Sequence, residues 1–271
     1  VGTVMTRCIN CTRCVRFAEE IAGTPVLGQL NRGEEAEIGT FIGELVQTEL
    51  SGNLIDICPV GALTSKPYAY KARSWELRKT ESVDVHDAVG SNIRVDARGR
   101  EVMRVLPRLH EDVNEEWISD RTRFAVDGLG KARIDRPYVR DKDSGKLIEA
   151  SWDEALGVIT ENLKGLKGEQ VAGLVGDLAE GESIVALKDL LERLGSPHMD
   201  CRTDGARFDP SNRAGYLFNT TIAGIDEADA ILIVGANPRH EATLINARIR
   251  KAQFERGVPV AVVGEAVDLG Y

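Results

Sequence analysis

Three of the five cysteines, Cys8, Cys11 and Cys14, are spaced two residues apart, and a fourth, Cys58, lies far downstream with Pro59 directly after it. Thiolates are soft ligands. A C-x2-C-x2-C loop wraps three corners of a cubane cluster, and a remote cysteine can close the last corner. The proline stiffens the backbone behind that last ligand and removes one amide proton from the loop. In two-cluster ferredoxins the C-P cysteine serves the partner cluster. Here there is no second triplet for it to serve, so all four thiols are expected to close on one 4Fe–4S cluster.

Zinc is the main competing occupant. Four-cysteine zinc sites usually come as two separate C-x2-C pairs, unlike a tight triplet with a lone distant partner. Four reduced, metal-free cysteines at this spacing are the remaining alternative. Cys201 has no cysteine or histidine at ligand spacing and reads as an ordinary thiol. His86, His110, His198 and His240 are scattered and form no spaced pair, so surface or hydrogen-bonded roles are expected for them. The sequence has no nucleophile elbow, no P-loop and no dinucleotide fingerprint, and no residue is assigned a catalytic role. Val234 to Pro238 reads as a strand running into a glycine turn and then a helix, either a ligand-binding crossover or simply a tight turn.

Three regions must position these residues. In the first, residues 1–74, the spacing predicts a helix over Cys11 to Ala22, stopped by Gly23 with Pro25 beyond. Short strands and turns follow around Gly28, Gly33, Gly39 and Gly43. The second, residues 75–138, is β-rich, and its clearest feature is a hairpin with Ile93 and Val95 on one strand and Val102 and Val105 on the other, around Gly99. The third, residues 139–271, alternates strands and helices. Ser151 and Glu154 form a capping box opening a helix with Leu156, Ile159 and Leu163 on one face. Strands are predicted at Val171–Val175, Ala230–Val234 and Val258–Val263, with helices at Ile184–Leu194 and Glu241–Arg256. The fold class is therefore mixed α/β: a small ferredoxin-like cluster domain, a small β-rich domain, and a Rossmann-like domain with a mostly parallel sheet.

The chain has 271 residues, enough for more than one core. A net charge of −9 argues against a nucleic-acid partner. No apolar run reaches the ~20 residues needed to cross a bilayer, so no direct membrane insertion is expected. An odd number of cysteines, crowded as these are, does not suit a disulfide framework and points to metal in a reducing compartment. The chain opens on Val1 without an initiator methionine and stops after a strand-like run, and we read it as a piece of a longer polypeptide.

The stretches Val4–Phe17 and Glu49–Thr64, which contain all four cysteines, closely resemble the large iron–sulfur subunits of respiratory complex I. Trp117–Asp120 and Asn219–Gly224 add to the match, which extends along essentially the whole chain and leans toward the mitochondrial and α-proteobacterial branch. The resemblance implies a 4Fe–4S cluster on Cys8, Cys11, Cys14 and Cys58 that relays electrons from NADH and a flavin on another subunit toward quinone. It also implies further 2Fe–2S and 4Fe–4S clusters upstream of this chain and other peripheral-arm subunits as partners. The implied location is the cytoplasmic side of a bacterial inner membrane, or the matrix side in a mitochondrion. Activity would belong to the NADH:quinone oxidoreductase as a whole, not to this chain alone.

Residues beyond about Trp75 resemble molybdopterin oxidoreductases, which open with a C-x2-C-x3-C motif and one later cysteine. On this chain those positions fall at Asp84, Asp87, Ser91 and Ser119. Carboxylates and hydroxyls are poor ligands for a soft cluster, so no second cluster is expected there, and no molybdopterin. An active molybdenum or tungsten enzyme is the alternative function, with Val234–Pro238 as its pterin turn. A purely structural scaffold is the preferred account of residues 139–271.

Overall fold

The computed structural model describes residues 1–271 except 41, 42, 177, 202–204, 206–208 and 219. Asn219, the first residue of one of the resembling stretches, therefore lies outside the described residues. The chain divides into two units, residues 1–131 with 218–271, and residues 132–217. Among the described residues no helix is long and apolar enough to cross a membrane.

The first unit begins with β1 (Gly2–Thr3), a single 3-10 turn at Met5–Arg7 and α1 (Arg13–Arg16). The predicted helix over 11–22 is shorter and then wider. Thr12 is left-handed (φ 58), so the helix cannot start before residue 13, and from Phe17 to Ile21 it opens into a π turn. That extra residue per turn puts both Phe17 and Ala18 into the core. The hairpin β2 (Leu27–Leu30) and β3 (Glu37–Thr40) follows, then α2 (Asn53–Ile57) and β4 (Leu63–Thr64). β4 pairs antiparallel with β1, and Val4 N–H donates to the Ala62 carbonyl at 2.8 Å. The two ends of the cysteine-bearing segment are thereby stapled together.

β5 (Arg78–Val83), β6 (Asn92–Arg98) and β7 (Glu101–Pro107) form an antiparallel meander, and the predicted hairpin is its second half. Gly99 supplies the left-handed turn residue, φ 62. A register shift at Asp96/Ala97 coincides with a buried carboxylate: Asp96 accepts from Arg94 and Arg104, each at 2.8 Å. Ile93 and Val105 pack on fully buried Ile118, just before α3 (Asp120–Phe124).

The second unit starts with the hairpin β8 (Tyr138–Arg140) and β9 (Leu147–Glu149), followed by α4 (Trp152–Leu163). Its capping box forms as the sequence predicts: Ser151 N–H donates to Glu154 Oε2 at 2.7 Å, and Glu154 N–H to Ser151 Oγ at 3.3 Å. The predicted apolar face of α4 is present but uncovered, Leu156 and Ile159 each being about half exposed. β10 (Ala172–Leu174), α5 (Gly181–Arg193) and β11 (His198–Asp200) make a parallel βαβ unit.

The chain then re-enters the first unit. β12 (Ile231–Val234) pairs parallel with β13 (Val260–Val263) across α6 (Pro238–Glu241) and α7 (Thr243–Arg256). Ile225, Ile233, Ile249 and Leu269 pack under this pair. Ala242 and Leu244 reach further, joining Phe17, Leu50, Leu54 and Val89 in one core. The C-terminal segment thus buttresses the cysteine-bearing one.

Candidate metal centre

The 3-10 turn ends at Cys8 in extended backbone, and the loop beyond it reverses twice at non-glycine residues, Asn10 (φ 52) and Thr12 (φ 58). Each such residue costs on the order of 1 kcal/mol or more and persists where its surroundings hold it. Asn10 is held by its side chain, whose Nδ2 donates to the Ala36 carbonyl at 2.8 Å. The reversals turn three thiols of one short loop to the same side, with Cys14 in the first turn of α1. Cys58 arrives from the C-terminal end of α2. The four cysteines line one small pocket, floored by Met5, Ile9, Ile38, Val60 and Leu63. Cys201 is exposed and lies in the second unit.

Backbone amides are aimed at the sulfurs. Burial pushes the Cys58 thiol up, but the amides of Leu63, Val60, Ala62 and Gly61 outweigh it and leave the group below its ordinary value. Leu63 N–H reaches Cys58 Sγ at 3.5 Å, and Asn10 N–H reaches Cys8 Sγ at 3.4 Å. Cys14 goes the other way: burial raises it, the amides of Val15 and Cys14 oppose, and the neighbouring Cys11 and Cys8 raise it again. Crowded thiols of this kind ionise together only when a cation shares their charge.

Among the described residues no three His, Cys, Asp or Glu side chains converge as a single ion would require. One zinc ion draws four sulfurs to ~2.3 Å from a single point. Four thiols spread around a pocket, with amide donors behind them, are a donor set that suits an iron–sulfur cluster.

The other four positions, Asp84, Asp87, Ser91 and Ser119, are also brought together, into a network of their own. Asp84 N–H donates to the Ser91 carbonyl at 2.8 Å. Asp84 Oδ2 accepts from Thr122 Oγ1 at 2.8 Å, and Thr122 Oγ1 lies 2.8 Å from Ser119 Oγ. Ser119 Oγ also reaches Asp87 Oδ2 at 3.3 Å and caps α3 by accepting from Thr122 N–H at 3.1 Å. Ser91 Oγ is buried without a hydrogen-bond partner. Burial raises the Asp87 carboxyl above its ordinary value, and the Asp84 charge adds to that against the Val89 amide. Thr122 is not a motif position, and its one signal in the sequence is Ser119 three residues before it, an ordinary N-cap.

Two further groups of contacts carry no sequence signal. Asn53, fully buried, donates to the Leu50 and Ile118 carbonyls at 3.0 and 2.9 Å and accepts from Ile118 N–H at 3.1 Å and Arg123 Nη2 at 3.2 Å. Arg123 also pairs with Asp56 at 2.5 Å. Asp120 accepts from the Ser51 hydroxyl and Gly52 N–H, both at 2.6 Å. A Cβ at Gly52 would sit 2.6 Å from Arg123 Cδ and 2.8 Å from Asp120 Oδ1, so any side chain there must displace one of these pinned groups. Together these bonds tie the segment leading to Cys58 onto Trp117–Asp120. Buried polar residues have no periodicity, which is why the pattern of apolar residues does not reveal them.

Three family models match the chain. Residues 1–64 match the ferredoxin-like domain of NADH-quinone oxidoreductase subunit 3. Residues 77–127 match the NADH-ubiquinone oxidoreductase NDSU1/NuoG-like 4Fe-4S domain, although this stretch contains no cysteine. Residues 133–271 match molybdopterin oxidoreductase. The chain is 55% identical over all 271 residues to NADH dehydrogenase (ubiquinone) iron-sulfur protein 1, mitochondrial, of Solanum tuberosum, covering 37% of that protein. It is 50% identical over its full length to the G subunit of NADH-quinone oxidoreductase from Rickettsia felis, covering 40% of it. Over 264 residues it is 51% identical to the G subunit of the Rickettsia conorii enzyme, covering 97% of this chain and 39% of that one. The chain thus spans about two fifths of the length of the curated relatives it matches.

Proposed function

The chain belongs to the molybdopterin oxidoreductase family, with the G subunits of NADH-quinone oxidoreductase among its relatives, and from this premise we propose that it is an electron-transfer segment of respiratory complex I. Electrons from NADH and flavin pass toward quinone through one 4Fe–4S cluster held by Cys8, Cys11, Cys14 and Cys58. The observation that carries this reading is the gathering of those four thiols on one pocket with amides directed at sulfur. The cluster, when bound, supplies one-electron chemistry. The chain holds the thiolates rigidly, excludes water with Ile38, Val60 and Leu63, and lowers the sulfurs' negative charge density through their amide donors.

The same reading covers the finer points. Residues 1–74 are the cluster domain, 75–138 a β-rich domain whose second ligand set holds no cluster, and 139–271 a Rossmann-like segment, its last part packed into the first unit, that serves as scaffold and binds no molybdopterin. Other peripheral-arm subunits are the partners, on the cytoplasmic or matrix side of the membrane. Iron and acid-labile sulfide in equal amounts, about four of each per cluster, are expected from anaerobically purified protein. Stoichiometric zinc without sulfide would overturn the assignment. Membership of the molybdopterin oxidoreductase family favours a second reading, a molybdenum or tungsten enzyme. Its only thiol left to serve as a metal ligand is the exposed Cys201, and metal analysis for either element discriminates the two.

A further inference from the structure

Behind Cys58 lies a second cavity of about 350 Å³, on whose walls stand three arginines, Arg7, Arg104 and Arg123, and two tyrosines, Tyr68 and Tyr70. Two of these guanidinium charges are compensated. Arg104 pairs with buried Asp96 at 2.8 Å and lies over the Tyr68 ring at 4.5 Å. Arg123 pairs with Asp56 and bonds Asn53. Arg7 differs: among the described residues no carboxylate pairs with it, and its Nη1 donates to the Tyr70 hydroxyl at 3.1 Å. Tyr70 is 79% exposed and sits in left-handed backbone, φ 65, and its ring lies 6.0 Å from the Arg7 guanidinium carbon.

The position of Arg7 gives that lone charge a target. It directly precedes Cys8, and its Nη1 lies 3.9 Å from where a side chain at Gly61 would begin. Gly61 belongs to the turn after Cys58, from which Leu63 N–H reaches Cys58 Sγ at 3.5 Å, and Arg7, Cys58 and Gly61 line the same cavity. Accepting an electron adds one negative charge to a cluster and moves no proton. A positive charge at one corner, solvent-exposed and so largely screened, still favours the reduced form over the oxidised one.

Resting on the cluster assignment above, we propose that Arg7, held by Tyr70, is a positioning residue that raises the reduction potential of the cluster from its Cys58 corner. The electron comes from the reduced donor upstream and leaves to the next acceptor, so Arg7 changes the energy of that step and not its stoichiometry. Arg104 and Arg123, each already neutralised, should contribute far less.

The test is an EPR-monitored redox titration of the anaerobic full-length protein, following the signal that Cys58→Ala abolishes. Arg7→Met is expected to move the midpoint to a more negative potential at unchanged iron and sulfide. Arg7→Lys should retain most of the wild-type value, and Tyr70→Phe should shift it the same way as Arg7→Met by a smaller amount. An unchanged midpoint in Arg7→Met with its iron intact overturns the proposal. Should Arg7→Met lose iron, Tyr70→Phe decides: an unchanged midpoint there overturns it equally. Wild-type protein without iron and sulfide would instead defeat the cluster assignment, independently of Arg7.

Discussion

The first unit contains two places where four residues at cluster-ligand positions come together, and they have opposite characters. At Cys8, Cys11, Cys14 and Cys58 the donors face an apolar pocket and their partners are backbone amides. At the second site the Asp84, Asp87 and Ser119 side chains bond mainly to one another and to Thr122, while the Ser91 hydroxyl is buried without a partner. Thiols are weak hydrogen-bonding groups, so four of them cannot satisfy each other and the first site stays open to a ligand. Hydroxyls and carboxylates can, and apart from the Ser91 hydroxyl the second site closes on itself. Converging backbone therefore does not make a metal site. The donors decide whether the convergence needs an occupant.

The largest effect should come from breaking the open site. Cys58→Ala removes the only ligand from outside the 8–14 loop, and the expected outcome is loss of nearly all iron and labile sulfide. Cys201→Ala should leave the cluster spectrum unchanged. Equal iron in Cys58→Ala and wild type would erase the contrast between the sites, because it would show that the remote thiol is not a ligand.

Opening the closed site is the converse test. Combining Asp84→Cys, Asp87→Cys, Ser91→Cys and Ser119→Cys replaces each oxygen donor by a thiol, and Ser91→Cys also removes a buried hydroxyl that has no partner. Losing the Ser119 cap of α3 costs about 1 kcal/mol, which the fold should tolerate. The expected result is roughly a doubling of iron per chain, with a second EPR signal. A folded mutant with unchanged iron would mean the loop has drifted from a cluster-binding shape.

How far this contrast is legible in the sequence differs between its halves. The cysteine spacing announces the first site, and in residues 151–263 β10, β12, β13, α4, α5, α7 and the capping box fall close to where the sequence predicts them, whereas β11 (His198–Asp200) has no such signal. Thr12 gives no warning of its left-handed backbone, whereas Asn10 is a residue type that visits that conformation and is held there by its side chain. The packing of Leu244 against Phe17 and Leu50 joins residues far apart in sequence, which local patterns do not encode. Leu156 and Ile159 show the reverse: their helical periodicity is legible, yet among the described residues they stay about half exposed.

Asn53 links the two sites physically, since it opens the α2 helix that leads to Cys58 and bonds the Ile118 backbone beside Ser119. Asn53→Ala would take the side-chain partner from the Ile118 carbonyl and amide in a dry interior and strip one bond each from the Leu50 carbonyl, which keeps the residue-53 N–H, and Arg123, which keeps Asp56. A loss of about 2–4 kcal/mol is expected, read as a lower urea midpoint at unchanged slope. A change under about 0.5 kcal/mol, the size typical of surface positions, would mean the two sites are stabilised separately.

The smallest effect should come from Asp87, and its sign tests whether the closed site is self-sufficient. Burial, and after it the nearby Asp84 charge, raise this carboxyl above its ordinary value, and the Val89 amide, the Ser119 hydroxyl and Arg121 offset them only in part. A carboxyl whose folded value is raised is better accommodated when protonated. Its contribution to stability is complete below the ordinary aspartate value near 4 and is lost as pH rises through the folded value. At neutral pH the charge is therefore a net penalty. Asp87→Asn removes the charge while keeping an Oδ1 acceptor for the Val89 amide, which Asp87 now binds at 2.9 Å. The variant should be modestly more stable than wild type at pH 7, with the advantage shrinking toward pH 4, as followed by thermal unfolding at both pH values. A constant advantage would assign the gain to packing. A loss at pH 7 would show that the Asp87 charge is compensated by something other than the groups around it, and the picture of a site closed by its own hydrogen bonds would fail.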